Sequence, residues 1–430
     1  MQPESKKQRL QCEFYMEKKK RRCGMSRNLS SKYCSEHQIL NENTKRIPCP
    51  LDPNHTVWES DLDSHLKKCN KLKLIHQHDN KPYFLKDCNA ITTEDSNTTV
   101  ITKDSLQNWI MKTIPVLKNF FKDDEKNYLS NVPLDIRKNH TMEDKRFPQL
   151  NENDNIGKKY HAIQQSSLIQ NMIDRNILQF KENSLANFIE FGCGRAELSR
   201  YVNQVVIKNS EEKIYNPHFI LIDRSTNRMK FDTKMKKDAL EFNQNLNPPT
   251  ITRIRIDIKD LKIDPLLQKD SKYIAISKHL CGVATDLTLR SLTYNPDDND
   301  FLQGVCIAMC CRHVCNSNNY VNPDFVKSII GNTNTEEQLP YDQFFHALTK
   351  IAAWATSGDR PTSSDENNTH FTNLPYTERQ ELGLMARRVI DQGRCDWLQQ
   401  KLGESFKVEL IRYVEPSISL ENVALLAYRK

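Results

Sequence analysis

Residues 188–198 read FIEFGCGRAEL. A short apolar run carrying one acid, Glu190, gives way to Gly192-Cys193-Gly194 and then to the helix-forming Arg195-Ala196-Glu197-Leu198. The pattern predicts a strand, a glycine turn and a helix start. Glycine lacks a Cβ, so the backbone can approach a ligand, and the amides that open the helix face it. A dinucleotide fold usually carries a third glycine in this turn, which is absent here. Further strands are predicted at His218–Ile222, Thr252–Ile256, Tyr273–Ser277 and Gly304–Met309, after the first at Phe188–Phe191. They alternate with helical stretches, as in a parallel sheet covered on both faces. The last two, Val408–Tyr413 and Val423–Tyr428, are joined by a short loop and predict an antiparallel hairpin. The expected fold class is therefore α/β, a seven-stranded Rossmann-like sheet, entered through a helix at about Tyr160–Ile173.

In such a sheet the ligand crevice lies at the carboxyl ends of the strands. Glu190 followed by Gly192 and Gly194 resembles the first motif of S-adenosylmethionine-dependent methyltransferases. Asp223 ends the second strand, where a carboxylate can accept from ribose hydroxyls, and Asp257 ends the third, within reach of an adenine amino group. One aspartate after a strand often only caps the next helix. Three acidic strand ends in order favour a ligand. The fourth strand ends in SKHLCGVATD, residues 277–286, which sets Lys278 and His279 beside the ligand with Asp286 one or two helical turns on. The fifth ends in MCCRHVC, residues 309–315, which brings Arg312 and His313 to the same edge. Cys306, Cys310, Cys311 and Cys315 with His313 read as small packing residues or as a third metal site.

The chain opens differently. Cys12, Cys23, Cys34 and His37 form one set of four metal ligands, and Cys49, His55, His65 and Cys69 a second. Each supplies the four nitrogen or sulfur ligands of tetrahedral zinc with none left over. The formal net charge is +7, and residues 1–82 account for it, with 17 Lys/Arg against 10 Asp/Glu. The unbroken basic run from Lys18 to Arg22 reads as a phosphate-gripping patch, or else as a solvated loop or a nuclear address. Domain boundaries follow: a CCCH-type finger at 1–45, a CHHC-type finger at 46–82, a polar linker at 83–157 with one amphipathic helix around Leu106–Phe121, and the Rossmann-like domain at 158–430. No apolar run approaches the roughly 20 residues that span a bilayer, and the start, MQPESKKQRL, lacks the apolar core of a secretory signal. The expectation is an intracellular chain, in nucleus or cytoplasm or both, with no membrane and no obligate protein partner.

Taken together, the two fingers, FIEFGCGRAEL, SKHLCGVATD and MCCRH in order resemble the eukaryotic tRNA 2′-O-methyltransferases that modify the fourth nucleotide of the acceptor stem, the Trm-thirteen family. The likeness covers essentially the full length. It implies S-adenosylmethionine as cofactor, two structural zinc ions and tRNA as partner. Glu190, Gly192, Gly194, Asp223 and Asp257 would then hold the cofactor, and Lys278, His279 and Asp286 would border the acceptor as the catalytic candidates. Many ribose methyltransferases use a Lys-Asp-Lys-Glu tetrad, of which only Lys278 is offered here, so the base stays open among these residues. Lys159, His161, Gln164 and Gln165 fall in a shared segment that lies beside the donor pocket or simply packs. The alternative reading is a zinc-finger RNA-binding assembly factor with an inactive methyltransferase-like domain. A third keeps the enzyme but moves the methyl to a base nitrogen or a protein side chain.

Overall fold

A computed structural model describes residues 10–17, 20–34, 37, 46–69, 72, 78–91, 101–122, 132–143, 155–180, 187–209, 216–227, 230–294, 300–332, 338–356 and 370–430. The chain divides into two compact units, Met1–Lys81 and Pro82–Lys430. In the first, β1 (Tyr15–Met16) pairs antiparallel with β2 (Arg21–Arg22), and β3 (Arg46–Cys49) with β4 (Asp52–Trp58), followed by the short helix α1 (Leu62–Leu66). Little apolar surface is available to bury, and the interior is made largely of thiols: Cys12, Cys23, Cys34, Cys49 and Cys69 are all buried. Lys18 and Lys19 of the basic run lie outside the described residues, while Arg21 and Arg22 form an exposed strand.

The second unit begins with α2 (Lys103–Phe120) and α3 (Ile156–Asp174). Strand β5 (Asn187–Phe191) is followed by α4 (Glu197–Asn209), β6 (His218–Ile222), α5 (Asp232–Phe242) and β7 (Thr250–Ile254). Next come β8 (Tyr273–Cys281), α6 (Val283–Leu292) and β9 (Leu302–Cys310), and three helices, α7 (Pro323–Gly331), α8 (Tyr341–Ala353) and α9 (Tyr376–Leu402). The hairpin β10 (Phe406–Arg412) and β11 (Val423–Arg429) ends the chain. The sheet order is β10-β11-β9-β8-β5-β6-β7, with β5 to β9 parallel and β11 antiparallel to both its neighbours. Helices cover both faces, which is why β5 and β6 are buried at every residue and are mostly apolar. The order reverses between β5 and β8, and the crevice opens at that switch point.

The seven strands are those expected, with two informative shifts. β7 starts and ends two residues early, which leaves Ile256 and Asp257 in the loop beyond it. β8 runs four residues past Ser277 to Cys281, because a register shift against β9 at Lys278–Leu280 carries pairing through the polar SKH segment. Helix α3 begins at Ile156, where the Asn155 side chain accepts from the Lys158 amide.

The linker reading of 83–157 needs correction for its described residues; the others lie outside the description. Phe84 bridges to Leu261, and the Asn89 side chain donates to the Ile258 and Leu261 carbonyls at 2.7 Å each. Leu134 bridges to Arg412. Helix α2 continues through Pro115 and buries Ile110, Ile114, Val116 and Leu117 in a helical core shared with α7, α8 and α9. An apolar stripe of that size, worth on the order of 1.5–3 kcal/mol per buried side chain, outweighs the polar sequence around it.

Candidate active site and metal centres

Past β5 the backbone turns through Gly192 and Gly194, at φ 61° and 50°. The positive φ favours glycine at Gly192, and a Cβ there would sit 3.2 Å from Leu280 Cδ1, a tight contact with the end of a side chain. Asp223, at the end of β6, fixes this turn: its Oδ2 accepts from the Gly194 amide and its Oδ1 from the Ser225 amide, each at 2.7 Å. Asp257 accepts from the Lys259 amide at 3.1 Å and remains one-third exposed. These residues wall a cleft of about 640 Å³, with Gly192, Asp223, Asp257 and His279 on its polar side and Ile256 and Leu287 on its apolar side. The donor set fits an adenosine: carboxylates for hydroxyl and amino groups, aliphatic side chains for the ring.

Glu190 is not in that wall. It is buried behind the turn, where it accepts from both the amide and the hydroxyl of Ser199 in the first turn of α4. Burial pushes its carboxyl up to about 7. Its position ties β5 to α4, so it shapes the turn from behind.

The register shift in β8 sets the directions of Lys278 and His279. His279 has φ 64°, in the left-handed region, and such a bulge turns neighbouring side chains out of simple alternation. Lys278 Nζ thereby lies 2.7 Å from His161 Nδ1 on α3, and the His161 and His279 rings meet edge-on at 5.5 Å. Desolvation brings the Lys278 ammonium down to about 8, against the opposing pull of Glu197 and Glu190. Desolvation and the charge of Lys278 keep both imidazoles below the usual histidine range, His279 at about 4. Both are therefore neutral near pH 7 beside a lysine that loses its proton easily. His161 borders a second cleft of about 650 Å³, lined by Lys158, Arg195, Arg200 and Lys234 together with Glu197.

Four residues that the sequence offered for the site sit elsewhere. Asp286 is fully buried, with Arg394 donating to its Oδ2 at 2.6 Å and its Oδ1 at 3.1 Å. Arg312 is buried against Asp391 at 2.8 Å and also pairs with Glu421. Gln164 and Gln165 are buried along α3, and Gln165 Nε2 reaches Glu197 Oε2 at 3.3 Å. The five-residue metal set around Cys306 does not assemble either. Cys306 lies in the sheet core and Cys315 in the helical core, while Cys310 and Cys311 converge with Cys281. The sequence reading missed the reach of His161 to Lys278, 117 residues away, because only the fold brings α3 to the end of β8.

In the first unit both ligand sets assemble as expected. Within each, all four ligand atoms lie within 4.8 Å of one another. Cys23 and Cys34 Sγ are 4.0 Å apart, as are Cys49 and Cys69 Sγ, close to the edge of about 3.8 Å that tetrahedral Zn–S bonds dictate. Phe14 stacks on the His37 ring at 3.9 Å, and Asp52 Oδ2 lies 3.6 Å from His55 Nδ1.

Three family models match: Methyltransferase TRM13 over residues 163–428, the CCCH zinc finger in TRM13 protein over 10–38, and the U11-48K-like CHHC zinc finger over 46–70. The chain is 44% identical to the tRNA:m(4)X modification enzyme TRM13 of Saccharomyces cerevisiae, over 98% of this chain and 97% of that one. It is 39% identical to the Kluyveromyces lactis protein of the same name (99% and 97% covered), and 29% identical to the TRM13 homolog of Mus musculus (97% and 94%). The chain belongs to the TRM13 methyltransferase family.

The TRM13 methyltransferase match starts two residues past His161 and takes in the glycine turn, the β8 bulge and the buried arginines. Each finger match encloses one ligand set. In a TRM13 chain built this way, chelation should release two zinc ions and unfold the finger modules while the sheet unit keeps its cooperative unfolding transition. Metal analysis with hydrogen exchange checks this; retained protection around Cys12–His37 and Cys49–Cys69 without metal would contradict it. Gly282, at φ 51°, is equally exposed to test. An added Cβ would come 2.4 Å from Val314 Cγ2 and 2.9 Å from the Val314 carbonyl carbon. Gly282→Ala should cost at least about 2 kcal/mol in urea unfolding, and an unchanged midpoint would show that the turn relaxes freely.

Proposed function

We propose that this chain is an S-adenosylmethionine-dependent tRNA methyltransferase that methylates a ribose 2′-hydroxyl, at the fourth nucleotide of the acceptor stem. The observation that carries the reading is the Lys278–His161 contact at 2.7 Å, set between a cleft suited to adenosine and a cleft lined with basic side chains. Bound S-adenosylmethionine would supply an electrophilic methyl on its sulfonium. Asp257 and Asp223 would accept hydrogen bonds from the donor at the cleft rim. The Lys278 amine would hold the ribose O2′ in line and take its proton as the new O–C bond forms, while neutral His161 keeps that amine in place. Alignment contributes the larger share, proton acceptance the rest. Lys158, Arg195 and Lys234 beside His161 suit the phosphodiesters of the acceptor strand. The basic first unit suits the same polyanion, and an acceptor stem presents its 2′-hydroxyls in a wide, shallow groove without base flipping. The relatives' names, tRNA:m(4)X modification enzymes, support tRNA as the substrate. The reading places the enzyme inside the cell, in nucleus or cytoplasm, and needs no protein partner.

The pH profile tests the assignment. A lysine brought down to about 8 is an ammonium below that pH and cannot accept a proton. Single-turnover transfer from labelled S-adenosylmethionine to unmodified tRNA should rise about tenfold per pH unit below about 8 and level off above it. A flat profile between pH 6.5 and 9.5 would remove Lys278 as the proton acceptor.

A further inference from the structure

Cys281 and Cys310 close β8 and β9 and face each other in the sheet register. Their sulfurs are 3.1 Å apart. The zinc modules of the same chain hold thiols at 4.0 Å, so this gap is too short for a zinc edge and only about 1 Å longer than a disulfide bond. Partners on adjacent strands have Cα atoms about 4.8 Å apart, inside the range a disulfide spans. Cys281 is exposed at the wall of the donor cleft and Cys310 is buried. One sulfur is thus open to a reagent and the other is placed to resolve what forms on it. Cys311 brings a third thiol within 4.8 Å.

We propose that Cys281 and Cys310 are a redox modification site that takes a hydroperoxide, and that closing their disulfide switches methyl transfer off. The first step is attack of the Cys281 thiolate on a peroxide oxygen. The O–O bond breaks, an alcohol or water leaves with a proton, and Cys281 becomes a sulfenic acid. The Cys310 thiol then attacks that sulfur, the S–O bond breaks, and water leaves. The sulfur pair has lost two electrons, and the peroxide has gained them. The buried Cys310 S–H remains the donor to Cys281, which holds the Cys281 thiol below the usual cysteine range.

The consequence for catalysis follows from one further contact and rests on the donor-cleft reading. Cys281 directly follows the register shift at Lys278–Leu280 that aims Lys278, and its Sγ lies 3.4 Å from the His279 carbonyl oxygen within that bulge. Closing the disulfide draws the Cys281 sulfur toward β9 by about 1 Å, so the end of the bulge shifts with it and Lys278 loses its alignment with His161.

The test uses full-length, zinc-loaded protein and hydrogen peroxide at doses at which both fingers keep their zinc. Non-reducing peptide mass spectrometry reads the linkage, and single-turnover transfer reads the consequence. A peptide joined through Cys281 and Cys310 should accumulate as transfer falls at least about tenfold, and dithiothreitol should restore both. Cys310 lies outside the cleft wall, so Cys310→Ser should keep basal transfer within about twofold and lose both the linkage and the reversible inactivation. Absence of the linkage, a Cys281–Cys311 linkage in its place, or linkage with unchanged transfer would each overturn the proposal. So would a third equivalent of zinc in untreated protein that Cys310→Ser removes, since the thiols would then be metal ligands. Untreated protein that fails to bind S-adenosylmethionine would count against the proposed cofactor, and the peptide map would still decide the disulfide.

Discussion

Lys278→Ala is expected to lower single-turnover methyl transfer by about 10²–10⁴-fold while S-adenosylmethionine affinity stays within about twofold. The direction follows from where Lys278 sits. Its Nζ is 2.7 Å from His161 Nδ1, and it does not line the cleft formed by Gly192, Asp223 and Asp257. The substitution therefore removes the group between the clefts and leaves the donor's walls intact. Lys278→Arg should be nearly as damaging, because a guanidinium stays protonated across the working pH range and cannot accept a proton. Equal losses in binding and transfer would mean that Lys278 holds the donor and something else takes the proton.

Asp286→Ala is expected to fail by a different route, costing about 3–5 kcal/mol of stability. The carboxylate is fully buried with two hydrogen bonds from Arg394, which is itself fully buried and also donates to the Gly282 carbonyl at 2.9 Å. Removing the acid leaves a guanidinium without its counter-charge in the interior, and that uncompensated charge is the main cost. Arg394 reaches back to the Gly282 turn beyond Cys281, so the damage should spread to the β8 end as lost hydrogen-exchange protection. Replacing the pair together, Asp286→Leu with Arg394→Met, should recover much of the stability, since an apolar pair of similar volume can replace a buried ion pair. A stable Asp286→Ala protein with impaired transfer alone would restore Asp286 to the acceptor.

These two residues mark how far the sequence could be read. The strand-end and turn positions of Gly192, Gly194, Asp223 and Asp257 were legible because strand ends and glycine turns are local patterns, and the crevice position follows from the alternation of strands and helices. Both zinc sets were legible for the same reason, since ligand spacing is a property of a short segment. Asp286 was misplaced because a residue in the first helical turn beyond a strand end looks functional until its partner is known. That partner, Arg394, lies 108 residues on, in α9. His161 was underrated for the converse reason, as its importance comes from a contact across the fold. The 83–157 segment failed differently: its polar composition concealed Asn89, whose side-chain amide satisfies two carbonyls beyond β7.

The account stands or falls on the product. Purified protein, S-adenosylmethionine and unmodified tRNA should be taken through one turnover, digested to nucleosides, and the methylated product identified by mass spectrometry and mapped. The account predicts a 2′-O-methylated nucleoside at the fourth position of the acceptor stem, lost in Lys278→Ala. A methyl group on a base would contradict the ribose chemistry assigned to Lys278, and no transfer from folded, zinc-loaded protein that binds tRNA would make the chain a binding factor.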